Sequence, residues 1–180
     1  MLELLVVIAI IGILAALLLN IFGDVRRQAR DDRRVADLRQ AEQALRLFHL
    51  KCGFYPGKFD STNQACLGGQ ENGSQASQNP NNWDDLGINL KNAEIGAGLI
   101  PYDPLAGRTY EYRVQLSSSG PPPTPRAQCY VLKAQMETTH RSLDDPKELD
   151  SVSLVNFYPD TPNCTDPNYC IGNAECFYGG

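Results

Sequence analysis

The sequence predicts an α+β chain: a long N-terminal α-helix with a protruding hydrophobic half, packed on a small antiparallel β-sheet with disulfide-stabilised loops. Three observations predict it. No proline interrupts Leu2 to Cys52, where the only glycines are Gly12 and Gly23. Beyond Gly107 the apolar residues change to the alternation of strands. All six cysteines lie at or after Cys52, in the part richest in turn residues.

Residues 1–52 are expected to be one helix of two halves. The first half, 1–22, is apolar on every side and carries a single charged residue, Glu3. The second half, 23–52, is amphipathic. Val35, Leu38, Ala41, Leu45 and Phe48 step by three and four, the stripe a helix buries against a partner. Around it, positions 24–51 hold eight basic and five acidic residues. Arg33/Asp37 and Glu42/Arg46, each four apart, support the exposed side. Gly53 and Pro56 mark the helix end. A helix of roughly 50 residues reaches about 75 Å, longer than a small domain can bury, so the front half must protrude.

Residues 53–180 form the expected globular head. Its first part, 53–107, is an irregular loop region in which GGQENGSQASQNPNN is polar surface. Trp83, Leu86 and Leu90 suggest one short helix within it. The sheet is expected at about 108–158. Thr109–Val114 and Gln128–Glu137 alternate as strands, the proline-rich SSSGPPPTPR cannot continue a ladder, and Val152–Phe157 is a weaker third strand. The remainder, 159–180, is turn-rich and cysteine-held.

Cys52, Cys66, Cys129, Cys164, Cys170 and Cys176 read as disulfides of an oxidising compartment. A zinc site is the rival. It is disfavoured because Cys164-x5-Cys170-x5-Cys176 lacks zinc-ligand spacing and the only histidines, His49 and His140, are distant. Cys52–Cys66 is the best local bridge, Cys129 is expected to reach one of the last three, and the remaining pairing is open. After position 51 the chain has 8 basic and 15 acidic residues. A body of that sign does not suit direct binding to nucleic-acid phosphates.

Three explanations compete for 1–22. A cleavable signal peptide begins with a basic residue and ends at a small-residue cleavage site followed by mature sequence; this stretch starts with no basic residue and continues directly into amphipathic helix. A plain transmembrane anchor fits its length, but it leaves Glu3 unexplained and sets Arg26, Arg27 and Arg30 on the translocated side. The third is a helix that occupies a membrane first and then packs among copies of itself. There Glu3 neutralises the N-terminal amine of a neighbour.

ELLVVIAIIGILAALLL, from Glu3 to Leu19, resembles the mature N-terminus of type IV pilins and of the pseudopilins of type II secretion. The likeness continues through ARDDRRVADLRQAEQALRLFHLKCGFYP and, more faintly, in IPYDPLAGRTYEY, which is similar to the family's Pro-x-Asp-Pro and Tyr-x-Tyr approach to the sheet. It covers the first third of the chain and residues 100–113. The resemblance implies the pilin fold and a structural subunit, with Met1, Glu3, Gly12 and Asn20 concerned in filament assembly. It implies a bacterial inner-membrane precursor, processed and N-methylated by a prepilin peptidase and then exported by the pilus assembly machinery as an extracellular homopolymer. It also implies one or two residues ahead of Met1, and a helix weakened between Gly12 and Asn20, where relatives carry a kinking proline.

The favoured reading is therefore the major pilin of a type IV pilus serving adhesion, surface motility or DNA uptake. The large six-cysteine head favours it over a type II secretion pseudopilin, the alternative; a low-abundance tip adhesin or minor pilin is the third. Asn72 and Asn163 fit the glycosylation sequon, and Ser117–Ser119 and Thr124 would suit O-linked sugars. Asp144, Asp145, Asp150, Asp160 and Asp166 could offer oxygens to Ca2+, yet no organised loop collects them; solvated acids are the expected reading, with no metal and no cofactor. His49 and His140 are read as satisfied or solvated surface groups. Neither a nucleophile–base pair nor a phosphate loop is legible, so no enzyme is expected.

Overall fold

The computed structural model describes residues 2–56, 66, 83–95, 100–116, 127–149, 154, 157–158, 161–173 and 176, without the side chains of 2, 17–21, 85, 116, 127–128 and 158. Met1, Asn72, Ser117–Ser119, Thr124, Asp150, Asp160 and the side chain of Asn20 lie outside the described residues.

Helix α1 runs unbroken over Leu2–Cys52. The weakening expected between Gly12 and Asn20 is absent from the backbone. Asparagine keeps the N–H that proline lacks, and an isolated glycine lowers helix propensity without breaking the ladder. Termination is local. Gly53 adopts φ +78°, the left-handed conformation glycine tolerates, and its N–H donates to the His49 carbonyl at 2.7 Å. A second helix, α2 (Trp83–Asn92), follows.

The sheet is antiparallel throughout and comprises β1 (Glu111–Leu116), β2 (Ala127–Gln135), β3 (Phe157–Tyr158) and β4 (Asn168–Gly172) in the order β3-β1-β2-β4. It therefore extends past the expected 108–158: an outer strand, β4, comes from the cysteine-rich tail. NYCIG was hidden among turn residues, but Tyr169 and Ile171 alternate onto the core face while Cys170 points away, which is strand periodicity. The third strand is described only at Phe157 and Tyr158, opposite Gln115 and Val114.

One sheet face packs on α1. Leu38, Ala41, Leu45 and Phe48 are buried against Tyr112, Val114, Tyr130, Leu132, Ala134, Tyr169 and Ile171, with Val35 half-buried at the rim. α2 closes this core through Trp83, Leu86 and Leu90. Trp83 packs edge-on against Tyr110 with ring centroids 5.0 Å apart, and its indole N–H donates to the Pro101 carbonyl at 2.7 Å. Behind the sheet, Val131, Leu149, Leu154 and Phe157 gather around Cys129, Cys164 and Cys170. Elsewhere on that back face Glu111 pairs with Arg113 and Lys133.

All six cysteines are bridged: Cys52–Cys66, Cys129–Cys176 and Cys164–Cys170. The first fastens the helix end to the following loop region. The second spans 47 residues and ties β2 to the tail; crosslinks of such span restrict the unfolded chain by a few kcal/mol.

Candidate functional site: an exposed apolar stem and its ionic joint

The head does not reach the front of α1. Every described side chain from Glu3 to Ala29 is exposed, from Leu4 at 72% through Leu14 at 54% to Phe22 at 54%. Arg30 is the first to touch the head, so about 40 Å of helix projects. Scattered exposed apolar residues are ordinary; a contiguous apolar prong marks an interaction surface. Gly12 has open space where a Cβ would stand. Among the described residues no helix is long and apolar enough to cross a membrane.

Where the stem meets the head, the inward phase of α1 continues past Leu38 into polar residues. Arg34 and Asp31 occupy the next two positions of the buried stripe, and both are fully buried. The Arg34 guanidinium donates to Asp103 through Nε (2.7 Å) and Nη2 (2.9 Å), and through Nη1 to Asp31 (2.7 Å) and Glu137 (2.8 Å). Arg30 forks onto Glu137 at 2.7 and 2.6 Å. Asp31 also accepts the backbone N–H groups of Glu137 and Thr138 at 3.0 Å and the Thr138 hydroxyl at 2.8 Å. Asp103 accepts the Leu105 N–H at 2.8 Å. Three chain segments thus converge on one arginine: α1, the Pro101–Pro104 turn and the exit of β2.

Electrostatics follow from this packing. Burial opposes the Arg34 charge, but its hydrogen bonds to Asp103, Glu137 and Asp31 outweigh it and raise its pKa. Burial likewise pushes the Asp103 carboxyl up, and Arg34 with the Leu105 N–H more than reverses this. Glu137 is held at about 2, against an ordinary 4.5, chiefly by the Arg30 hydrogen bond and then by Arg34. A depressed carboxylate stabilises the fold above its unfolded pKa, and that stability disappears as pH falls through the folded value. Glu137 is therefore expected to contribute about 2 kcal/mol at neutral pH, discounted for its partly exposed Arg30 partner, and to lose it between pH 4.5 and 2. Acid titration of the head's unfolding should show the window, and Glu137→Gln should flatten it.

Asp37, one turn further along, behaves oppositely. Burial pushes its carboxyl up despite Tyr110, whose hydroxyl donates to Oδ2 at 2.8 Å, and despite Arg33 at 3.8 Å. Tyr110→Phe strands that oxygen and is expected to cost 1–3 kcal/mol at pH 7. The cost should shrink as pH falls through the raised Asp37 pKa; an equal loss at neutral and acid pH would contradict this origin.

His140 joins the same flank. Its Nδ1 accepts the Ser142 N–H at 3.2 Å and lies 2.8 Å from Ser142 Oγ, while Nε2 faces Asp32 at 3.1 Å. Serine, histidine and aspartate meet here, but Nδ1 caps the short turn Arg141–Asp144. The N–H groups of Ser142 and Leu143 are both spent on His140, so neither is free for an oxyanion. His49 rests against Tyr55 with ring centroids 4.7 Å apart. Asp144 and Asp166 are exposed, Asp145 pairs with Arg39 at 3.5 Å, and no group of three or more His, Cys, Asp or Glu among the described residues could hold a metal ion. Asn163 is exposed and its Oδ1 accepts the Thr165 N–H at 3.0 Å.

Thus α1 carries Glu3, Gly12 and the buried stripe on one rod, with the assembly candidates outside the head and the stripe inside it. Sequence reasoning missed Arg30, Asp31, Arg34, Asp103 and Glu137. The signal was present in part: 31, 34, 38, 41, 45 and 48 share one helical phase, which places Asp31 and Arg34 inward. Compared with family models, with curated proteins and with solved structures, the chain finds no match.

Proposed function

We propose that this protein is the structural subunit of an extracellular helical filament, a major pilin of the type IV kind, which polymerises through its N-terminal stem. The observation that carries the reading is the all-round exposure of an apolar helix from Leu4 to Leu14, on a rod whose other half is anchored in a folded head. Such a surface needs a second solvent. Lipid supplies it before assembly, and neighbouring stems supply it afterwards. Each copy then contacts the next through different faces, a heterologous arrangement that extends instead of closing.

Glu3 supports the same reading. A carboxylate at the leading end of an apolar helix is costly in hydrocarbon and useful in a stem bundle, where the N-terminal amine of a neighbour needs a counter-ion. The ionic joint supplies what a fibre subunit requires, a head that cannot swivel on its stem under tension. Negative-stain imaging of material sheared from cells tests the proposal. Long fibres composed of this chain are expected; their absence, with the chain remaining a lone membrane-bound subunit, would refute it.

A further inference from the structure

Along one flank of α1, further toward its C-terminus than the joint, lies a groove of about 790 Å³ between the helix and the turn that follows Asp144. Arg39, Glu42, Arg46, Asp145, Pro146 and Lys147 line it. That volume is in the range of small-ligand sites. We propose that this groove binds a small organic carboxylate, either a free acid or the acid group of a saccharide.

The charges already spent in the groove decide what it can still bind. Both carboxylates in the groove have partners. Glu42 accepts Arg46 Nη2 at 2.7 Å and Arg39 Nη1 at 3.2 Å. Asp145 pairs with Arg39 at 3.5 Å and accepts the Lys147 backbone N–H at 2.9 Å. Three cations face these two acids, which leaves one positive charge in excess. Arg39 is the fixed wall: its Nη2 also donates to the Tyr169 hydroxyl at 3.0 Å, and it is only 31% exposed. Arg46 is held at one edge by Glu42, yet its side chain is 68% exposed. The Lys147 side chain is exposed and has no ion pair among the described residues.

A pre-oriented guanidinium with unspent donors beside a mobile ammonium suits a carboxylate: Arg offers two parallel N–H bonds and Lys a point charge. The Pro146 ring and the helix-side methylenes of the arginines supply apolar surface for the ligand's carbon skeleton. The rest of the chain makes the groove distinctive, since the protein carries a net charge of −5 and this is a positive recess on it. The site is a property of the monomer and does not depend on the filament reading.

The test is calorimetric titration of the full-length chain in detergent micelles with four probes: glucuronate, malonate, glucose and sulfate. Saturable binding of glucuronate or malonate with a dissociation constant of about 1 mM or tighter is expected. Tighter glucuronate identifies a saccharide acid, and tighter malonate a free acid. The double variant Arg46→Gln/Lys147→Gln should weaken binding at least about tenfold, and Lys147→Glu alone should weaken it in the same direction. Asp144→Asn, outside the lining, should leave it unchanged. Both altered side chains are exposed, so near-UV circular dichroism should match the parent. The proposal fails if neither acid saturates, if glucose or sulfate binds as tightly as the acids, or if the double variant binds like the parent.

Discussion

Glu3→Ala is expected to abolish filament formation while leaving the head folded. Glu3 lies far from the head in an exposed segment, and none of the core residues touches the stem at that point. Removing its carboxylate therefore has no route to the head's stability. In a stem bundle the loss falls on the neighbour's amine, stranded in a low-dielectric core. Breaking a buried pair by deleting one partner costs about 3–5 kcal/mol. The penalty recurs at each subunit added, so even 3 kcal/mol raises the concentration needed for growth by more than about a hundredfold. Sheared-fibre yield, compared with total chain by immunoblot, reads the effect. Glu3→Gln keeps the shape but not the charge and should also fail. Normal fibre yield from either variant would remove charge pairing from the account.

The second large effect is expected at Arg34. Truncation to alanine leaves Asp31, Asp103 and Glu137 converging on an empty site, with Arg30 on Glu137 and the weaker field of Arg108 at Asp103 as the remaining compensation. The expected cost is about 3–5 kcal/mol, a large share of a small domain's whole stability. Arg34→Lys should recover little. Four donors of one planar fork reach three carboxylates here, and a single ammonium cannot span them. Arg30→Ala should cost less, since Glu137 keeps Arg34 and Arg30 is partly exposed. Chemical denaturation of the three variants gives the ranking. A loss below 1 kcal/mol for Arg34→Ala would mean that the joint relaxes or hydrates readily.

Legibility differed by element for identifiable reasons. Leu38, Ala41, Leu45 and Phe48 could be placed inward because one apolar stripe on a helix of this length has a single face to bury. β1 and β2 were legible from alternation, to within two residues at each end. β4 was not: Tyr169 and Ile171 stand amid cysteine, asparagine and proline, and a five-residue strand gains its identity from the edge of β2 it completes. Cys52–Cys66 is local and could be guessed. Cys129 was expected to reach one of the last three cysteines and does; that its partner is Cys176 required knowing how the tail folds behind the sheet.

The joint was the least legible feature. Asp103 and Glu137 lie 69 and 103 residues from Arg34 and look like ordinary surface acids. Arg34 itself is one of eight basic residues between positions 24 and 51, and composition does not single it out. His140 looked solitary, and its partner Asp32 stands on another element.

By itself the sequence determined the local facts: a proline-free rod, apolar all round in front and striped behind, a lone carboxylate near its tip, and a head rich in strand alternation and cysteine. These depend on residues within a turn or two of one another, where geometry is set by the backbone. Only the tertiary structure decided how the rod is held, because a buried charge network is a bargain among distant segments. Each partner there is tolerable in a low dielectric only if all the others arrive, and no local pattern records that condition.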